Sequence, residues 1–389
     1  VQTCALPICE ILPLESKVSS YDGHGNISNG LLAELRAKAR AAGLWCLQLS
    51  QADGKRIGLT GMAVCYEEMN RSIFGPVVFN SAAPADGNMM VLDKIGTPEQ
   101  KVRWLTPIVE GKVRSSFAMT EPHPGGGSDP SMIQTRAVLK GDHYVVTGQK
   151  VWSTMAQYAD KCLLLVRTDS SGAKQAGITF LLMDMKAKGV SVRPINQIQG
   201  DQEFCEVFLD GVEVPVSDRV GEENHGWAVA QATLASERGL TLMELSYRMR
   251  GAMGRIASLI RQHGRENDAG VLRDFGHLAA RVDAACAIAD QFLENRIGGI
   301  ERIGDASIVK LTYSRVLREW SALGLRLGAM EEQYRAAITF GDLNTGNWMA
   351  DFMNSYAWTI AGGSDEVQRN IIAERMLEMP REPKGWTGA

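Results

Sequence analysis

The 389-residue chain carries no strong charge of either sign: 41 Lys and Arg stand against 45 Asp and Glu, a formal net charge of −4. A surface so nearly balanced has no basic footprint for nucleic acid or for an anionic membrane. No run approaches the roughly 18 consecutive apolar residues that a membrane-spanning helix requires. The seven cysteines (Cys4, Cys9, Cys46, Cys65, Cys162, Cys205 and Cys286) form no CxxC pair and join no histidine cluster. That scatter argues against a disulfide frame or a zinc site and suits reduced thiols, hence a cytoplasmic protein. The six histidines complete no recognisable triad, and neither GxSxG nor HExxH occurs, so Ser-His hydrolysis and zinc-peptidase chemistry have no sequence support.

What is present suits a globular enzyme. Hydrophobic residues make up 45% and charged residues 22%, ordinary proportions, and the length implies two or three domains. The opening VQTCALPI lacks the positive segment and the long apolar run of a secretion signal. Its back-translation, GTG CAG ACG TGT GCT CTT CCG ATC, resembles the tail of a sequencing adapter, so residues 1–9 are expected to be a non-native artefact.

Three zones follow. Residues 10–113 read mostly helical. LLAELRAKARAAGL (Leu31 to Leu44) is rich in helix formers and should close at Gly43. In GTPEQKVRWLTPIVEG, Thr97 is a good N-cap, Pro98 suits the first helical position and Gln100 completes a capping box. Trp104 and Ile108 then recur at helical spacing.

From 114 to 220 the pattern changes to short β-rich runs: HYVVTGQKVWST, KCLLLVRTD, GITFLLMDM, VSVRPINQI and FCEVFLDGVEVP. Turn residues separate them at Gly141-Asp142, Ser170-Ser171-Gly172 and Lys188-Gly189. Such spacing suits an all-β meander or barrel. Residues 221–389 return to helix. The stretch from Gly226 to Gly264 is long enough for one bundle helix, with Gly239 and Gly251 as the places where it could break. Segments 271–297, 305–328 and 354–377 supply further helices of an antiparallel bundle.

Three motifs could carry chemistry. In SFAMTEPHPGGGSDP, Thr120 and Ser128 offer hydroxyls, and Gly125 to Gly127 let backbone N–H groups approach an anion. It is no Walker loop and no dinucleotide fingerprint, and a Gly-Pro surface turn is the competing reading. In KVWST, Trp152 could stack on a planar group while Ser153 or Thr154 bonds its edge; a buried structural tryptophan is the alternative. In ASERG, Glu237 falls on the apolar stripe of Ala230, Leu234, Thr241 and Leu245, at about 100° per residue. Desolvation there would raise its pKa and suit it to act as a base. Glu244 shares that stripe two turns on, so periodicity cannot choose between the two glutamates.

In order and together, GTPEQKVRWLTPIVEG, FAMTEPHPGGGSDP, GDHYVVTGQKVWST, FCEVFLDGVEVP, GGSDEVQRNIIAERML and PREP resemble the acyl-CoA dehydrogenase family over nearly the whole chain. The resemblance implies an α+β multidomain fold. An N-terminal helical domain (10–113), a central β-barrel (114–220) and a C-terminal four-helix bundle (221–389) are expected, with FAD between barrel and bundle. It implies that Phe117, Met119 and Thr120 line the flavin, with Thr120 on its polar edge. Ser128 should reach the phosphate region at or near the acyl-CoA. Trp152, Ser153 and Thr154 should cover the flavin's other side, and Ser364, Asp365 and Glu366 should run along the cofactor.

The implied reaction is α,β-dehydrogenation of an acyl-CoA to the 2-enoyl-CoA, in which a carboxylate takes the α-proton and the β-hydrogen leaves as hydride to flavin N5. A flavin ribityl hydroxyl and one backbone N–H hold the thioester oxygen in the family. Electrons then pass to an electron-transferring flavoprotein, and homo- or hetero-oligomers, dimers or tetramers, are expected.

One departure moves the base. Most members carry Tyr-Glu-Gly-Thr before the last helix, and that Glu is the base. Aligned on Val367, Gln368 and Arg369, those positions are Ala361, Gly362, Gly363 and Ser364. A minority, including the isovaleryl and long-chain types, takes its base from the bundle helix, where a Glu precedes an Arg. Glu237-Arg238 matches that slot, which makes Glu237 the expected base. Arg238, Gly362 and Gly363 then fall on the substrate side, with Gly362 offering its N–H. The loop from Thr120 to Ser128 is two residues longer than the common form, and LRLGAM (Leu325 to Met330) departs from the family's FAD-binding glycine stretch. Two other functions remain open: a non-catalytic partner subunit of a hetero-oligomer, and a flavin monooxygenase or oxidase on the same scaffold.

Overall fold

The computed structural model describes residues 6–15, 17–22, 26–49, 57–124, 129–172, 175–236, 242–300, 302–328 and 348–381. Among the described residues the longer helices are α1 (Asn29–Ala41), α2 (Leu59–Met69), α3 (Ala85–Ile95), α4 (Gly226–Ser236), α5 (Leu242–Gln262), α6 (Ala269–Ile297), α7 (Asp305–Leu327) and α8 (Trp348–Ser355), with the shorter α9 (Asp365–Ile371) near the C-terminus. The chain divides into two compact units. One comprises Val1–Leu31, Gly58–Gly75 and Arg238–Ala389, and the other Leu32–Ile57 and Pro76–Glu237.

The second unit is built on a mixed sheet. Its strands are β1 (Ser115–Ala118), β2 (Arg136–Lys140), β3 (His143–Thr154), β4 (Lys161–Arg167), β5 (Ile178–Asp184), β6 (Val190–Pro194), β7 (Phe204–Pro215) and β8 (Arg219–Val220). The ladder runs β6-β7-β3-β2-β4-β5-β8, with β1 parallel beside β4. All five β-rich runs of the sequence are strands here.

Composition explains the two kinds of strand. In β4 and β5 the unbroken runs CLLLV and ITFLLM are buried on both faces. Cys162, Leu164, Val166, Leu181 and Met183 join Tyr144, Val146 and Val207 in one core. Leu163, Leu165, Phe180 and Leu182 turn the other way, onto Leu92, Trp104, Ile108, Val229 and Ala230. Strand β7 instead alternates buried with more open positions, as a strand covered on one face should.

Helix starts and stops follow their sequence signals. In α1, Leu32, Leu35 and Ala39 are buried along one face. Past its end Gly43 turns to φ +69°, with Gly43 N–H on Arg40 O (3.0 Å) and Leu44 N–H on Ala39 O (2.9 Å), a left-handed glycine closure. At Thr97 the capping box is complete: the Thr97 hydroxyl accepts from Gln100 N–H and Gln100 Oε1 accepts from Thr97 N–H, both at 3.2 Å. Gln100 also donates through Nε2 to Ser217 O (2.9 Å) and Arg219 O (2.8 Å), and Trp104 Nε1 donates to Asp218 (2.8 Å). The cap therefore ties this helical segment to β8.

The first unit is helical. Helices α5, α6 and α7 share a core of Met249, Ile256, Val282, Cys286, Tyr313, Leu317 and Trp320. Trp320 donates to Ala252 O at 3.1 Å and packs its ring 4.7 Å from that of Trp348 in α8. Of the long helix read from Gly226, the described residues form the helical segments α4 and α5. Gly251 lies inside α5 and does not break it, while Gly239 falls outside the described residues. The helix α4 packs in the sheet-bearing unit, through Val229 and Ala230.

Candidate active site

In the sheet-bearing unit the two flavin-type motifs lie side by side. Val151 N–H donates to Thr120 O at 2.9 Å, and Ser116 Oγ donates to Thr154 O at 3.1 Å. Lys150 holds the pair from inside: its Nζ donates to Met119 O (3.0 Å) and to Glu121 Oε1 (2.8 Å). Glu121 in turn accepts the N–H groups of Gln134 (2.7 Å) and Thr135 (3.0 Å). Neither charge sees water, Lys150 being 0% and Glu121 3% exposed. Burial alone would raise the Glu121 carboxyl. The Lys150 ammonium, with the bonds from Thr135 and Gln134, outweighs burial and holds Glu121 below the usual carboxylate range. Burial pushes the Lys150 ammonium down to about 8, with Glu121 pulling it back.

Beyond Lys150 the strand bulges. The β3–β7 register shifts between Lys150 and Ser153, and Trp152 sits at φ +60°, Met155 at +52°. A bulky residue in the left-handed region is strained, and such strain gathers where a side chain is re-aimed for use. The bulge leaves Trp152 54% exposed, its ring edge-on to Phe204 at 6.1 Å. Next to it Ser153 is 1% exposed, and its Oγ meets no partner among the described residues. An open indole, an unsatisfied buried hydroxyl, and the half-buried Thr120 and Thr154 fit a planar group with polar edges. Phe117 is partly buried, its ring 6.3 Å from that of Phe180.

An open cleft of about 380 Å³ lies between β2 and the β4–β5 loop, lined by Arg136, Arg167, Thr168, Ser170 and Ser171. Arg167 gives its guanidinium to three backbone carbonyls, Ile133 (3.1 Å), Ala176 (2.7 Å) and Ser131 (2.9 Å). It shapes the loop instead of presenting a free charge.

The helical unit carries the other candidates. Gly362 and Gly363 take φ +67° and +90° before α9. Ser364 caps α9, its Oγ accepting Val367 N–H at 3.3 Å. Asp365 turns inward to Lys310 Nζ (2.6 Å) and Ser314 Oγ (3.1 Å), while Glu366 stays exposed beside Arg369 (3.4 Å). Of the two glutamates on one stripe, Glu244 is described. It is 4% exposed and paired with Arg248 at 3.0 Å, and Arg248 is held by Asn70 Oδ1 at 2.7 Å. Glu237, Arg238 and Ser128 lie outside the described residues.

Sequence reasoning passed over Lys150, Glu121, Lys310 and Gln368. The first two stand inside KVWST and TEP, where a charge amid strand residues was the available signal. Lys310 and Gln368 occupy helical positions that periodicity marks only as inward.

Three domain descriptions match nearly the whole chain: acyl-CoA dehydrogenase N-terminal domain at residues 14–112, middle domain at 116–212 and C-terminal domain at 224–377. The acyl-CoA dehydrogenase IpdE1 of Mycolicibacterium smegmatis is 32% identical over 360 residues, covering 89% of this chain and 87% of that protein. A solved structure described as the Tcur3481-Tcur3483 steroid ACAD is 26% identical with TM-score 0.78, covering 95% of this chain and 93% of that one. An acyl-CoA dehydrogenase structure from Geobacillus kaustophilus, 21% identical with TM-score 0.77, covers 95% of this chain and 94% of its own and is similar in fold.

Proposed function

The chain belongs to the acyl-CoA dehydrogenase family, FAD-dependent oxidoreductases acting on CH–CH groups, and from that premise we propose that it converts an acyl-CoA to the 2-enoyl-CoA with Glu237 as the α-proton base. The supporting observation is the state of the rival carboxylate. Glu244 shares the stripe but is held in a buried ion pair with Arg248, itself bonded to Asn70, so its carboxylate is already committed to a partner within the helical unit. Gly362, at the usual base position, has no side chain. Glu237 is left with the Glu-Arg slot of the minority type.

The remaining residues bind and orient. Trp152 offers its indole face to the isoalloxazine, and Thr120, Ser153 and Thr154 offer hydroxyls to its polar edge. Met119 lines the same pocket, and Ser364, Asp365 and Glu366 form the segment along the cofactor. Bound FAD supplies the acceptor for the β-hydrogen. Gly362 N–H donates to the thioester oxygen and stabilises the negative charge that develops there as the α-proton leaves. Arg238, Gly363 and Ser128 fall to the substrate. Electrons leave to an electron-transferring flavoprotein, and the chain works as a homo- or hetero-oligomer.

The test is the visible spectrum of the purified FAD-loaded protein against straight-chain, branched and steroid-linked acyl-CoAs. One class should bleach the flavin band and so identify the acyl group. Glu237→Gln should keep the yellow colour and lose the bleaching; a variant that bleaches at the wild-type rate removes Glu237 from the mechanism. A colourless protein that gains flavin only with a second chain would support a partner-subunit role instead.

A further inference from the structure

Gln368 lies in α9 and folds its carboxamide back onto the loop before its own helix. It is 1% exposed, and its Nε2 donates to Gly362 O at 2.9 Å and to Gly363 O at 3.4 Å. The two glycines it holds are not equivalent. A Cβ on Gly363 would stand 2.4 Å from Gln368 Nε2, whereas a Cβ on Gly362 would meet nothing within 4 Å. The amide therefore packs directly on Gly363, whose φ of +90° itself favours glycine, while Gly362 faces open room.

In a trans peptide the N–H points opposite to the carbonyl. Anchoring Gly362 O to Gln368 thus turns the Gly363 N–H to the other side. Neither Gly362 N–H nor Gly363 N–H meets an acceptor among the described residues. Gln368 Oε1, for its part, is buried with no partner among them, a state rare enough in packed proteins to call for a reason. The two carbonyls on the other end of the amide supply one.

We propose that Gln368 is a positioning residue for the substrate carbonyl, holding the Gly362–Gly363 peptide so that the Gly363 N–H joins the Gly362 N–H in facing the acyl thioester oxygen. The inference rests on the acyl-CoA reading above, with Gly362 N–H as donor. Two adjacent glycines have more conformational freedom than any other pair. Backbone donors lower a barrier only when they are already aimed where charge develops. The clamp removes that freedom before substrate arrives.

The experiment uses the FAD-loaded enzyme and the acyl-CoA that bleaches it. Gln368→Leu keeps roughly the bulk and removes both donors. Its kcat should fall by about 10- to 100-fold, toward the range seen for loss of an oxyanion donor, with FAD content unchanged. Its affinity for the enoyl-CoA thioester should fall while its affinity for an S-alkyl-CoA thioether, which has no carbonyl, stays the same. Gln368→Glu keeps the shape and regains a donor only when protonated, so its kcat should climb back toward wild type as pH is lowered.

A Leu variant with wild-type kcat, or one that loses thioether and thioester binding equally, overturns the proposal. If the Leu variant does not fold, the pH profile of Gln368→Glu decides alone, and a flat profile overturns it. A wild-type holoenzyme bleached by no acyl-CoA overturns the underlying reading, an outcome distinct from failure of the clamp.

Discussion

Among the described residues, each compact unit encloses one lysine, and each lysine meets a carboxylate from a segment that the sequence reading assigned to the cofactor. Lys150 is 0% exposed and meets Glu121, 3% exposed, beside Thr120. Lys310 is 1% exposed and meets Asp365 beside the double glycine, but the Asp365 side chain is 15% exposed. The first pair is closed on every side, its carboxylate also taking two backbone N–H groups and its ammonium a carbonyl. The second is open at the carboxylate end, where Ser314 is the extra partner. Burying a charge pair is a poor route to stability, because desolvation offsets much of the attraction. What both pairs do geometrically is pin a backbone segment, and the difference in closure sets how much depends on each.

The largest effect should follow Lys150→Met, which leaves Glu121 charged and buried alone. Chemical denaturation should show a loss of about 3–5 kcal/mol, and the double change with Glu121→Gln should recover much of it. Lys310→Met should cost less, about 1.5–3 kcal/mol, the range for hydrogen bonds to a charged group, since water can reach Asp365. Equal losses in the two variants would erase the distinction between closed and open pairs.

Two carboxyls of the sheet-bearing unit should respond to pH in opposite directions. Asp86 is 5% exposed and accepts from Gly87 N–H, and burial pushes its carboxyl up to about 6. A raised carboxyl favours the folded state most below its ordinary value of 3.8, and that contribution is lost as pH rises through about 6. Asp86→Asn should therefore stabilise the protein by on the order of 2 kcal/mol near pH 8 and by little near pH 4. Glu121 is held below its ordinary 4.5, so its contribution is present above that value and lost as pH falls. The penalty of Glu121→Gln should accordingly shrink on acidification, read from denaturation midpoints at several pH values. The smallest effect belongs to Glu366→Gln: this exposed residue pairs with Arg369 three positions on, and stability should change by no more than about 0.5 kcal/mol.

Much of the fold was legible because its signals are local. The capping box at Thr97 needs only residues three apart, and the glycine closure at Gly43 only a left-handed position. The runs in β4 and β5 could be read as strands because their neighbours supply turns, but not as strands buried on both faces, since an unbroken apolar run does not say what covers it. The motif around Trp152 was legible as an indole beside two hydroxyls. That Trp152 is lifted out by a bulge at positive φ was not, because a bulge depends on how two strands pair. Gly251 was one of two places where the helix could break, and it does not: one glycine in a well-packed helix costs about 1 kcal/mol, which the burial of Met249, Ala252 and Ile256 exceeds.

The sequence by itself determined the order of elements, the family and the presence of two glycines before the last helix, since these depend on residue type and spacing along the chain. Only the tertiary structure decided that Glu244 is held by Arg248 and Asn70, that Lys150 locks Thr120 against Val151, and that Gln368 clamps the double glycine. Those are facts about partners far apart in sequence or folded back across a turn. Periodicity fixes which way a side chain faces, and packing alone fixes what it meets there.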